Sequence, residues 1–219
     1  MTDFIPIKRI AERIERDKDN SNSAFFSSLL LGYELTVKLT VAAFVGSLQD
    51  DKDRHRYRFE HRLVRASGLG EWVSVLQEMF TGPAAASLSN GAVVYRNELM
   101  QKSGAGDYRY DAVNALERAM KALMIFNRDT KAKPSLFDWF TDAVTLRNKT
   151  RGHGATTQAK IDAACLDLSD SLQLVFDNFS LFSCPWAYLR RNYSGKYRVC
   201  ALTANDDRFD HMRTERELN

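Results

Sequence analysis

The chain has 219 residues, 44% of them hydrophobic and 27% charged, with a formal net charge of +3. That is the composition of an ordinary soluble globular chain, enough for one good core and an appendage. Three cysteines without paired short spacings argue against a disulfide framework and against a zinc knuckle. The sequence pI of about 8.7 permits a nucleic-acid partner without requiring one.

The opening, MTDFIPIKRIAERIERDKDN, is too charged for a secretory signal. Ile7, Ile10, Ala11 and Ile14 recur at helical spacing among charges and predict a short amphipathic helix over residues 5–18. Ser21 or Ser23 is placed to cap the next helix, about residues 24–48, which is apolar on more than one face and so belongs in the middle of a bundle. Glu34 and Lys38 interrupt this run, which argues against a membrane span; no membrane partner is expected and the setting is read as cytoplasmic.

A third helix is expected within residues 50–70, with aspartates at its positive end and Gly68 at its stop. Shorter helices follow over residues 71–80 and 89–100. Ala112, Leu116, Ala119, Leu123 and Phe126 predict an amphipathic helix over residues 108–127. Ser135 starts another, with Leu136, Trp139, Phe140, Val144 and Leu146 inward, and the last long helix runs from about residue 156 to 182 through Cys165, which is read as core. Trp72, Trp139 and Phe140 are likewise read as core rather than as base-stacking platforms. The period then changes: residues 186–191 and 196–202 alternate around Asn-Tyr-Ser-Gly and predict a β-hairpin. Such a hairpin must lie against the helices or open a further domain. The expected architecture is therefore an all-α, up-and-down helical bundle over residues 1–182, with a β-hairpin and polar tail over 183–219.

The segment that invites chemistry is LRNKTRGHGATT, residues 146–157. In one continuous helix Arg147 and His153 would point roughly 120° apart and lie about 9 Å apart in rise, too far to cooperate. Gly152 and Gly154 allow a break that folds His153 back toward Arg147, and a helix resuming near residue 155 brings free N–H groups to the same corner. Arg147 can grip two phosphate oxygens, Asn148 can donate or accept a hydrogen bond, and His153 can move a proton near neutral pH. These groups suffice for RNA cleavage without a metal: the 2'-OH attacks the adjacent phosphate, the arginine holds the developing charge, and the 5'-oxygen leaves protonated.

The same residues, Arg147 to His153 as RNKTRGH between the last two long helices, resemble the Arg-x(4–6)-His motif of HEPN-domain proteins. The resemblance implies a bundle that dimerises so that two motifs share one cleft. It also implies, in many members, a metal-independent endoribonuclease of toxin-antitoxin, antiviral or abortive-infection systems. On this reading Arg147, Asn148 and His153 are catalytic, RNA is the substrate, and the partners are a second copy of the chain and an antitoxin or regulatory protein.

Arg151 and Lys149 beside the motif, and Arg54, Arg58 and Arg62 on the third helix, are candidate RNA contacts; the alternative is a solvated face with ion pairs to Asp51 and Glu60. Arg147 and Arg151 could also simply cap a helix C-terminus, with His153 a surface loop residue. Glu34 is either paired with a lysine or arginine or orients Arg147. His55, His61 and His211 lack ligand-like spacing, so no metal and no cofactor are expected. No P-loop, GxGxxG after a strand, or GxSxG is present. A catalytically silent helical sensor or scaffold, binding a nucleotide or a protein at the same corner, is the rival reading.

Overall fold

The computed structural model describes residues 3–49, 51–125, 133–151, 157–184, 186–191, 195, 197–202 and 209–211. The described chain is a helical bundle of α1 (Ile5–Asn20), α2 (Asn22–Gly46), α3 (His55–Val64), α4 (Leu69–Thr81), α5 (Asn90–Met100), α6 (Tyr108–Ala122), α7 (Leu136–Arg151) and α8 (Gln158–Asn178), with 3-10 turns at Pro83–Ser87 and Ser180–Ser183. Three short strands follow, β1 (Ala187–Arg191), β2 (Tyr197–Ala201) and β3 (Phe209–His211), paired antiparallel in the order β1-β2-β3. The polar tail over residues 205–219 reads as a final helix or disorder, but its described part, Phe209–His211, is strand β3 paired with β2; the rest of the tail lies outside the described residues.

α2 packs against α1, α3, α4, α7 and α8, which is why its sequence is apolar all round. By length and composition alone it could cross a membrane, but 56% of its apolar window is buried inside the bundle. Ser21 caps it, its hydroxyl accepting from the Ala24 N–H at 3.2 Å. Gly32 is a point of closest approach: a Cβ there would lie 2.6 Å from Leu172 Cδ2 of α8 and 3.2 Å from Ile14 Cδ1 of α1.

At the centre, Tyr33 of α2 stacks on Trp139 of α7 with ring centroids 4.8 Å apart. Trp139 Nε1 donates to Ser171 Oγ of α8 at 2.8 Å, and Ser171 Oγ donates to the Ala112 carbonyl of α6 at 2.7 Å. Tyr33 OH donates to the Leu168 carbonyl at 2.9 Å. Every polar atom that these rings carry inward is thereby satisfied, as burial demands. Trp139 and Phe140 are core, as their register predicts, and Cys165 is buried with its thiol pushed up to about 11 by burial.

Three helix ends differ from the sequence reading, each for a local reason. α3 stops at Val64, and Gly68 is extended and begins α4 instead of ending α3. Its start is held by Asp51, whose carboxylate accepts from the N–H groups of His55 and Arg56 at 2.7 and 2.5 Å, while Arg54 takes a left-handed φ of 58°. α6 ends at Ala122 rather than running to residue 127: Met124 is left-handed at φ 59°, with Met124 N–H on the Lys121 carbonyl and Ile125 N–H on the Met120 carbonyl. That is a Schellman closure made without glycine, and so without the usual sequence signal; residues 126 and 127 lie outside the described residues. α8 ends at Asn178, because Glu98 of α5 takes the N–H and hydroxyl of Ser180 and draws the chain into a 3-10 turn. Phe179, Leu181 and Phe182 remain buried, which prolongs the apolar pattern past the helix.

The strands meet the bundle at its N-terminus. Phe4 stacks between Phe182 and Trp186, at 5.8 and 4.7 Å, and the Ile5 N–H donates to the Leu202 carbonyl at 2.8 Å.

Ser171→Ala leaves the Trp139 indole N–H buried without its acceptor and should lower unfolding free energy by about 1–3 kcal/mol in urea titration. Ser169→Ala, on the same helix and without a side-chain hydrogen bond among the described residues, should change it by about 0.5 kcal/mol or less.

Candidate functional site

Arg147 and Arg151 stand one helical turn apart at the C-terminal end of α7, and Glu34 and Lys38 one turn apart in the middle of α2. Because α2 and α7 pack together, the two pairs meet. Glu34 Oε1 is 2.6 Å from Lys38 Nζ, and Glu34 Oε2 accepts from Arg151 Nη1 at 3.4 Å. Lys38 Nζ in turn lies over the Trp72 ring of α4, 5.7 Å from its centroid.

Arg147 is half-buried. Its Nη1 donates to Asn148 Oδ1 at 3.4 Å, while its Nε is shut away from solvent and has no hydrogen-bond partner among the described residues. A buried guanidinium donor without an acceptor is costly, and an anion's oxygen would relieve it. Asn148 and Lys149 are exposed at the outer edge of the same turn.

Burial pushes the Glu34 carboxyl upward. The hydrogen bond from Lys38 and the charges of Lys38, Arg151 and Arg147 outweigh it, so the group sits below its ordinary value. Three cations thus surround one carboxylate, leaving the corner net positive at neutral pH. His153, with Gly152 and Gly154 and the expected break in the helix, lies outside the described residues.

The α3 arginines are arranged differently. Arg62 donates to Glu78 Oε2 of α4 at 2.8 Å and to Ser74 Oγ at 2.9 Å, and Arg58 lies 3.6 Å from Glu78 and 3.2 Å from His55 Nδ1. Arg54 places its guanidinium 6.0 Å from the Tyr57 ring centroid. The stripe is therefore tied largely to Glu78 across the α3–α4 seam. The anticipated ion partners serve otherwise: Glu60 pairs with Arg56, and Asp51 caps the helix. Among the described residues Arg54, Arg58 and Arg62 share no hydrogen bond or ion pair with the α7 cluster. His61 is exposed and stacks on Tyr57.

Lys38 and Trp72 join the corner without having been singled out as site residues. The Glu34-to-Lys38 spacing of four on a helix was the available signal for Lys38; Trp72 is brought in only by the packing of α4. Among the described residues no three His, Cys, Asp or Glu side chains come together to hold a metal ion.

The folded Glu34 is more acidic than it would be unfolded, so its ion pairs stabilise the fold above the unfolded carboxylate value of about 4.3. That contribution is lost as pH falls through the lower folded value. Glu34→Gln should cost about 1 kcal/mol at pH 7, and its difference from the native chain should vanish once the carboxylates are protonated. Urea titrations at neutral and strongly acid pH measure both.

Comparison with family profiles, with curated proteins and with solved structures finds no match to this chain, so its function is argued from the corner where α2 and α7 meet.

Proposed function

We propose that the chain is a metal-independent endoribonuclease of the HEPN type, an effector of a toxin or antiviral system. The supporting observation is the positively charged corner of Arg147, Arg151 and Lys38, in which Arg147, six residues before His153, keeps a buried donor with no acceptor among the described residues. In this reading Arg147 holds the charge that develops on the phosphorane and Asn148 positions substrate or histidine. His153 takes the proton from the 2'-OH or returns one to the 5'-oxygen. Arg151 and Lys149 flank the path of the RNA backbone, and Arg54, Arg58 and Arg62 extend it along α3. One protomer supplies one histidine, so a two-fold homodimer that sets the motif against its copy completes a base and an acid. The HEPN-like topology, the carboxy-terminal hairpin as an appendage, a cytoplasmic setting and an antitoxin partner belong to the same proposal.

One observation favours a silent sensor or scaffold instead: Arg151 is engaged with Glu34, a structural ion pair that needs no substrate. Labelled RNA incubated with the purified chain in EDTA separates the two readings. The nuclease yields 2',3'-cyclic phosphate ends, whereas the scaffold binds RNA or nucleotide and leaves it whole. His153→Ala should lower turnover by roughly 10²- to 10⁴-fold; cleavage at the native rate by this variant removes the assignment. Expression of the native chain alone should arrest growth, and Arg147→Ala should relieve the arrest.

A further inference from the structure

Among the described elements α6 and α8 pack most extensively, and they run antiparallel: Ser171 meets Ala112 at one level, and Asp167 meets Arg118, 2.8 Å away, at the other. Along this pair lies a cleft of about 770 Å³. Its lining carries the carboxylates of Asp111 and Glu117 from α6 and Asp170 and Asp177 from α8, against two cations, Arg118 and Lys121. Arg118 is already held by Asp167. The cleft is therefore net negative, in a chain whose overall charge is positive.

Glu117 sets this cleft apart from a solvated acidic face. It is only 2% exposed, it lines the cleft, and among the described residues its carboxylate receives no hydrogen bond and forms no ion pair. A carboxylate left with so little contact with solvent and no protein partner among the described residues gains from a guest that supplies the counter-charge. Asp111 and Asp170 at the rim also have no hydrogen-bond or ion-pair partner among the described residues.

A bare divalent ion fits poorly, since it needs several convergent oxygen ligands and no such group is present among the described residues. The volume suits a larger guest, and the Tyr110 ring in the lining offers a face for a cationic nitrogen. We propose that the α6–α8 cleft binds a small organic cation, whose ammonium or guanidinium group is anchored on Glu117. Asp111 and Asp170 draw the cation in, and the site is independent of the α2–α7 corner.

Isothermal titration calorimetry of the full chain with spermidine and with agmatine tests this, the two probes separating an ammonium from a guanidinium preference. At least one should bind saturably at one per chain, and Glu117→Gln should weaken that binding by about tenfold or more. The proposal is overturned if neither amine binds saturably or if Glu117→Gln binds as tightly as the native chain. Displacement of the amine by magnesium chloride in a Glu117-dependent manner overturns it equally. Should Glu117→Gln fail to fold, Asp170→Asn at the rim decides: weaker amine binding supports the cleft, and unchanged affinity removes it.

Discussion

A single buried hydroxyl governs how the bundle is set. Ser171 accepts from the Trp139 indole and donates to the Ala112 carbonyl, so one side chain of α8 fixes α7 and α6 at once. Tyr33 closes the group from the α2 side by stacking on Trp139 and reaching the Leu168 carbonyl. Hydrogen bonds have direction where apolar packing does not, so this group fixes the rotation of each helix about its own axis. Glu34 follows Tyr33 in the chain, and Arg147 and Arg151 lie two to three turns beyond Trp139. The interior hydroxyl thus determines which charges face one another at the candidate site.

Most of the helical architecture was legible because buried faces impose a 3.6-residue period, as Ala112, Leu116 and Ala119 do in α6, and because Ser21 and Ser135 begin helices by chemistry that can be read locally. Helix ends were less legible where tertiary partners or unusual backbone conformations replace the usual punctuation. Met124 adopts the left-handed conformation that glycine normally marks. Glu98, eighty-two residues before Ser180, ends α8 in a way that no window of neighbouring residues contains.

The candidate site divides along the same line. The Arg147–Arg151 pair and the Glu34–Lys38 pair each follow helix periodicity, but their meeting depends on how α2 packs on α7, and Trp72 enters only through α4. The α3 stripe shows the converse. Arg54, Arg58 and Arg62 are a regular basic row in sequence, yet Glu78, on a different helix, engages two of the three. Periodicity identifies which face a charge occupies; the neighbouring element decides whether that charge is available.

The clasp of Phe4 against Phe182 and Trp186, sealed by the Ile5 amide on Leu202, joins segments almost two hundred residues apart into one cooperative unit. If α1 lifts away, the strand pair loses its apolar floor, and if the strands peel off, Phe4 loses both ring neighbours. Amide protons at the two extremes of the described chain should therefore exchange with solvent through a shared opening event, while the interior around Ser171 stays closed.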